Sequence, residues 1–249
     1  MLQNSKGAQS VHRTVSLLRT VAKYNKQGVN LSKIARDTGL HTATAHRILA
    51  ALVLEGFITY DSVSKLYHLG IDLYHIGMEA HHFSICERYH SVIEKIAEKT
   101  EDTVFLLIRS GNDVLCLDLV EGKFPIRTMT IEIGARRPLG IGVGSLALIA
   151  FLSKEEFETV LSDNQDRYPD YNGLSQKDIA KLAKKSQKEG FVVSKGLFHE
   201  GVTSVGVPIK DRHGKIVAAI TVAAIDKRMD PSRRKEIAGL VSRISLQSS

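Results

Sequence analysis

Residues 31–57, LSKIARDTGLHTATAHRILAALVLEGF, confine the chain more than any other stretch: they spell a short helix, a tight turn and a second helix with a bare polar face. Leu31, Ile34 and Ala35 fall on one side of the first helix. Gly39 supplies the turn, because a residue closing a helix often needs positive φ, which glycine takes without steric cost. Leu40 fills the joint. In the second helix Ala45, Ile48, Leu49, Leu52 and Val53 follow the i, i+3, i+4, i+7, i+8 spacing of a core-facing stripe. That turns Ala43, Thr44 and Arg47 outward, with Thr42 and His46 at the margins. Small residues at Ala43, Ala50 and Ala51 let a helix backbone approach a major groove. Arg47 offers a bidentate fork for guanine or phosphate, and the threonines suit bases or backbone. An ordinary helical hairpin with a solvated face would share this pattern.

The residues after the second helix favour the DNA-reading alternative. Phe57-Ile58-Thr59-Tyr60 and Lys65-Leu66-Tyr67-His68-Leu69 flank Asp61-Ser62-Val63-Ser64 and read as a β-hairpin, a wing. Upstream, Val11, Val15, Leu18 and Ala22 form a further apolar stripe, so helix, helix, recognition helix and hairpin make a winged helix-turn-helix of roughly 60 residues. Lys65, with Arg13, Lys33 and Arg36, is a candidate phosphate contact, though each also fits an ordinary solvated charge. Residues 1–80 hold nine Lys or Arg against five Asp or Glu, whereas residues 81–249 hold 25 against 22, so the basic excess is concentrated at the front. Such a domain attracts phosphate by counterion release, which supplies affinity without sequence information.

At 249 residues, 43% hydrophobic and 24% charged, the chain suits two soluble globular domains. Its longest apolar run, Leu146 to Leu152, is too short to cross a bilayer, and the polar start MLQNSKGAQS lacks a secretory signal's hydrophobic stretch; a cytoplasmic protein is expected. Cys86 and Cys116 alone give neither a disulfide framework nor a metal knuckle, and both read as small buried hydrophobes. All five prolines lie at or beyond Pro125 and no Gly/Ser-rich linker is present, so the connector is expected to be helical. Ile71, Tyr74 and Met78 mark one helix; Ile85, Tyr89, Val92, Ile93 and Ile96 mark a stronger one. An exposed apolar connector is a natural dimer contact, unless these helices pack on their own domains. The expected boundaries are 1–69, 70–84 for the connector, and 85–249.

From Thr103 strands take over: TVFLLIRS, DVLCLDLVE after a Gly111-Asn112-Asp113 turn, then IRTMTIEI at 126–133. Helical patterns occupy 144–164 and 175–189. Strands resume at Phe191-Val192-Val193, at 202–209 and at 215–224, before a closing helix from Pro231. Hairpins at both ends with helices between them describe an α+β domain, an antiparallel sheet covered by helices.

Three segments taken together, the helix-turn-helix, GARRPLGIGVGSLALIAFL at 134–152 and HEGVTSVGVPIKDRHGKIVAAITVA at 199–223, resemble the IclR family of bacterial transcription regulators. The resemblance spans nearly the whole chain. It implies a winged-helix DNA-binding domain, a linker helix and a GAF/profilin-like effector-binding domain, assembled as a homodimer or a homotetramer of dimers. Such proteins repress or activate operons, mostly for catabolism of small organic compounds, by binding palindromic double-stranded operator DNA. The DNA contacts expected from the recognition helix, the wing and the nearby charges are Thr42, Ala43, Thr44, His46, Arg47, Lys33, Arg36 and Lys65. The effector loop corresponds to Gly140–Ser145, with Gly142, Val143, Gly144 and Ser145 placed to cradle a carboxylate on backbone NH groups at the start of a Ser145–Leu152 helix. A glycine-rich turn needed only for packing would look the same. On the later strands the matching positions are Ser204, Thr221 and Ala223, with Ser194 where the family often carries an acidic residue.

That departure makes the pocket less polar than those suited to small oxo-acids such as glyoxylate, so a larger, partly apolar or aromatic organic acid is expected. The loop RRPLGIGVGS is also shorter than the His-containing segment of many relatives. Arg136 and Arg137 suit either anion attraction or a solvated surface. His75, His81, His82 and His90 lack a ligand spacing, and His199-Glu200 with Ser204 lacks a GxSxG elbow, so no metal, no cofactor and no enzyme activity are expected. The competing class is a small-molecule sensor or enzyme-like domain whose front module makes protein contacts. Steep salt dependence of DNA binding separates the two.

Overall fold

The computed structural model describes residues 8–79, 81–197 and 199–246, the side chains of residues 81–84 excepted. The chain divides into two units, residues 1–83 and 84–249.

The first unit opens with α1 (Gln9–Lys23), α2 (Leu31–Thr38) and α3 (Thr42–Leu54). Asn30 caps α2 by accepting from Lys33 N at 2.9 Å, and Gly39, at φ 66°, closes it in the left-handed region. Leu40 N then donates to Ala35 O, and Leu40 packs against the core formed by Ile34, Ala45, Leu49 and Leu52. Two expectations on helix faces are corrected. On α1 it is Leu17 and Val21 that are fully buried, while Val11 and Val15 are 60% and 37% exposed and Ala22 is exposed. Two apolar stripes interleave on this helix, and packing against α2 and α3 selects the shorter one. On α3, Val53 is exposed at the stripe's edge and Thr44 is half-buried rather than outward. The wing is β1 (Ile58–Asp61) paired antiparallel with β2 (Leu66–Leu69), and its turn is held by Asp61, which accepts from Val63 N and Ser64 Oγ. The connector helix α4 (Ile71–Met78) buries none of its residues.

The second unit begins within α5 (His81–Thr100). Its strands are β3 (Thr103–Ser110), β4 (Asp113–Val120), β5 (Arg136–Pro138), β6 (Val192–Lys195), β7 (Val202–Lys210) and β8 (Ile216–Ile225). They form one antiparallel sheet in the order β5-β4-β3-β8-β7-β6. Strand alternation sends Leu106, Ile108 and Ile220 to a core under α5 and α9 (Pro231–Leu246). Phe105, Leu107 and Ala219 go to a second core under α6 (Val143–Ile149), α7 (Lys154–Asn164) and α8 (Gln176–Glu189).

Residues 126–133, expected as a strand, are irregular, because β4's outer edge pairs with β5 instead. Thr128 is pinned by donating its hydroxyl to Ala223 O at 2.6 Å, and strand propensity yields to this long-range context. The expected helix at 144–164 is two helices broken at residues 150–153, where Ser153 caps α7 by accepting from Glu156 N.

One contact between α5 and the sheet titrates. His90 Nδ1 lies 2.7 Å from Asp118 Oδ2 and its Nε2 3.4 Å from Glu94 Oε1, with Cys86 Sγ 3.7 Å from the same Asp118 oxygen. The Asp118 hydrogen bond raises the His90 pKa above its usual value, helped by the charges of Asp118 and Glu94. A raised folded-state pKa stabilises fully below the unfolded value of about 6.5 and loses its effect as pH rises through the folded value. The stability gap between wild type and His90→Ala should therefore be widest in denaturant melts near pH 6 and narrow on alkalinisation; a pH-independent gap would contradict the contact's ionic character. Burial holds Cys116 as a thiol, its pKa pushed up to about 12.

Candidate DNA-binding face and ligand cleft

On α3 Thr42, Ala43, His46 and Arg47 are exposed together on one outward face, and Thr44 is half-buried beside them. His46, Ala50 and Val53 look across a groove to Tyr60, Lys65 and Tyr67 of the wing, with Ser32 at the start of α2 closing one end. Tyr60 and Tyr67 stack at 4.6 Å between centroids, which stiffens the wing. Lys65 stands in its turn at φ 60°. Lys33 and Arg36 are less free than solvated charges: their Nζ and Nε lie 3.6 and 3.8 Å from Asp37. The Tyr24 hydroxyl donates to the same carboxylate at 3.0 Å and is the largest influence holding it below the usual range. Ser32 of α2 and Tyr60 of the wing are not among the residues the sequence pattern singles out, because only the tertiary fold brings them into one groove with α3.

The second site is a narrow cleft of about 40 Å³, open to solvent at its mouth, on the α6 side of the sheet. Its floor is Phe105 and Leu107 of β3, Thr221 of β8, Ser204 of β7 and Ser194 of β6; its roof is the Ile141–Ser145 segment. Gly142, Val143, Gly144, Ser145, Ser194, Ser204 and Thr221 thus come together as the family resemblance implies. Ala223 does not line the cleft. It is buried in the adjoining core, with its carbonyl taken by Thr128.

The roof is fixed by local chemistry. Ser145 Oγ accepts from Gly140 N at 2.8 Å and contacts Pro138 O at 3.4 Å, so its hydroxyl is occupied inside the loop rather than offered to a ligand. Gly142 sits at φ 93°, which disfavours any side chain, and a Cβ on Gly144 would collide with Leu107 Cδ1 and Thr221 Oγ1. Glycine at 144 therefore permits the close approach that leaves the Thr221 hydroxyl at the cleft. Helix α6 runs from Val143 to Ile149, starting one residue before the helical pattern at 144 and ending before Leu152.

Four further groups line the cleft: Thr130 and Ile131, from the segment expected as a strand, Arg137, weighed in the sequence as either an anion-attracting or a solvated arginine, and His199, weighed there only for hydrolase chemistry. Thr221 Oγ1 and His199 Nε2 are buried without a hydrogen-bond partner among the described residues. Such orphans cost about 1–3 kcal/mol each when nothing pairs with them, so both atoms are open to a hydrogen bond from whatever enters the cleft. Arg137 donates from Nη2 to Thr130 O, whereas its neighbour Arg136 lies 3.9 Å from Asp113 Oδ2. Among the described residues no group of His, Cys, Asp and Glu is arranged to hold a metal ion. His75 stacks edge-on against Tyr74 and His90 is engaged by Asp118; the His81 and His82 side chains lie outside the described residues. No helix among the described residues is long and apolar enough to cross a membrane.

A winged helix-turn-helix joined in one chain to an α+β unit that carries a mixed polar and apolar cleft is the build of a ligand-responsive, DNA-binding transcription regulator. The chain belongs to the IclR family: the family model of the bacterial transcriptional regulator IclR C-terminal region matches residues 78–249, and that of the IclR helix-turn-helix domain matches residues 10–62. The HTH-type transcriptional regulator KipR of Bacillus subtilis (strain 168) is 26% identical over 229 residues, covering 90% of each chain. The transcriptional repressor AllR of Escherichia coli (strain K12) is 24% identical over 230 residues, covering 92% of this chain and 84% of its own. Among solved structures, an IclR homolog from Microbacterium hydrocarbonoxydans complexed with 4-hydroxybenzoate superposes with a TM-score of 0.78 at 21% identity, covering 96% of this chain and 99% of that one. An IclR-type regulator from Alicyclobacillus acidocaldarius gives 0.75 at 20% identity, over 96% and 98%. These superpositions establish the shared fold.

Proposed function

We propose that this regulator acts in the cytoplasm, that residues 1–69 read a palindromic operator while 70–84 link and 85–249 sense, and that a small organic acid in the cleft sets operator affinity at a catabolic operon. The observation that carries the effector assignment is the pair of buried, unpartnered polar atoms, Thr221 Oγ1 and His199 Nε2, within one concavity that also has apolar walls. Aromatic and branched walls from Phe105, Leu107, Val114, Ile131 and Ile141 favour a ligand with an apolar body. The 4-hydroxybenzoate held by the Microbacterium relative fits that description. Assembly as a homodimer, or a tetramer built from dimers, is supported by α4, where Ile71, Tyr74, Ile76 and Met78 are all exposed. A ligand that favours one arrangement of the recognition helices over another must shift operator affinity reciprocally.

Thr221→Val separates effector binding from packing. Removing an orphan hydroxyl should leave the second unit at least as stable, while 4-hydroxybenzoate binding weakens by about 1 kcal/mol, roughly fivefold, through loss of a hydrogen bond. Calorimetric titration beside thermal melting reads both effects. A variant that melts earlier yet binds the probe as the wild type does would show that Thr221 only packs. In a gel shift of the upstream region, adding the acid should change the fraction bound, and an unchanged shift at saturating acid would count against the switch.

A further inference from the structure

We infer that Arg137 is the charge-selecting residue of the cleft, admitting a monocarboxylate with an apolar body over its neutral counterpart and tying the bound acid to the segment 121–135. The inference rests on the reading of this cleft as the effector site. Register decides between the two adjacent arginines: β5 pairs Arg137 with Val114, and both line the cleft, whereas Arg136 is set beside Leu115 and faces Asp113. One residue of slip along β5 would exchange them.

The electrostatic surroundings of Arg137 are those of an anion receptor. Elsewhere in this unit Arg228 and Arg233 share Asp102, and Arg136 and Arg167 share Asp113. Arg137 has no carboxylate partner among the described residues, and its hydrogen bond goes to a neutral carbonyl, Thr130 O. Burial draws its pKa below the usual arginine value, the sign of a guanidinium short of compensating charge. A guanidinium carries five N–H donors in a planar fork, so the bond to Thr130 leaves donors for bidentate pairing with a carboxylate. Among the described residues no second Lys or Arg lines the cleft, which limits the charge it accepts to one. At the other extreme of polarity, Thr221 Oγ1 and His199 Nε2 suit a neutral hydroxyl on the same molecule.

The same arginine gives the ligand a mechanical connection. Thr130 and Ile131 form one wall of the cleft, and the segment carrying them is anchored by Thr128 to Ala223 O at 2.6 Å. A carboxylate held on Arg137 is therefore one residue's side chain away from the backbone of 121–135.

The test is calorimetric titration of the full chain with 4-hydroxybenzoate and with 4-hydroxybenzamide, which share shape and hydroxyl and differ in charge. The acid is expected to bind wild type about tenfold or more tightly than the amide, the scale of a charge-assisted hydrogen bond. Arg137→Gln should bring the ratio close to one, and Arg137→Lys should retain a reduced preference because it keeps charge without the fork. Amide hydrogen exchange in 121–135 should slow on adding the acid and not the amide. These wild-type readings do not depend on either variant folding. Equal binding of acid and amide overturns charge selection while leaving the cleft as an effector site, and a preference that survives in Arg137→Gln overturns the assignment to this residue. Binding of neither probe overturns the inference together with the reading beneath it.

Discussion

Replacing Asp102 with alanine is expected to cost the second unit about 3–5 kcal/mol, because it breaks a buried ion pair from one side only. The Asp102 side chain is 2% exposed and receives Arg228 Nε at 2.9 Å and Arg233 Nη2 at 2.8 Å on separate oxygens. Both arginines also donate to Thr100 O, and Arg228 lies 3.9 Å over the Phe124 ring. One carboxylate thus joins the end of α5, the start of β3, the 121–135 segment and the start of α9. Alanine would leave two half-buried guanidinium groups on the Thr100 carbonyl, with Glu101 Oε2, 3.7 Å from Arg228 Nη2, as the remaining carboxylate, whereas Asp102→Asn keeps one acceptor and should lose less. Urea unfolding of both variants measures the difference, and a loss below about 1 kcal/mol for alanine would mean that solvent already compensates these charges.

Arg47→Ala should weaken operator binding by about 1–3 kcal/mol, roughly 5- to 150-fold, with little change in folding stability. Arg47 is exposed at the middle of α3, and no ion pair holds it among the described residues, so its fork remains available to a base or a phosphate. Its two possible partners leave different signatures. A guanine contact makes the loss specific to one base position, while a phosphate contact weakens all sequences alike and lowers the salt slope by about one. Unaltered affinity in a fluorescence titration would remove Arg47 from the interface.

Much of the fold was legible because local signals agreed with long-range packing. The Gly39 turn, the β3–β4 hairpin around Gly111, and the capped helix from Ser175 to Gly190 each carry their own start or stop residue. Where local pattern offered two answers, packing chose. Helix α1 has two apolar stripes, and the sequence cannot say which one meets α2. Residues 126–133 alternate as a strand does, yet β5 takes the place beside β4. The break before α7 was readable, since Ser153 with Glu156 three residues on is a capping signal set against a continuous apolar run. At the cleft, Ser194, Ser204, Thr221 and the glycine loop could be named because the family resemblance carries over position by position onto the strands and the loop. Thr130, Ile131 and His199 come from irregular segments placed by distant contacts, and the choice between Arg136 and Arg137 depends on β5 register, which no local pattern encodes.

The central claim is that this chain reads a two-fold operator and that an acid in the cleft alters that reading. Footprinting its own upstream region at 50 and 200 mM salt, with and without 4-hydroxybenzoate, tests it most directly. The expected result is protection of two half-sites related by a dyad and spaced by about one or more helical turns. Affinity should fall by orders of magnitude, about 10³-fold or more for six or more phosphate contacts, across that salt range, and the acid should change the protection. Protection of one half-site alone, binding indifferent to sequence and salt, or a footprint the acid leaves untouched would contradict the claim.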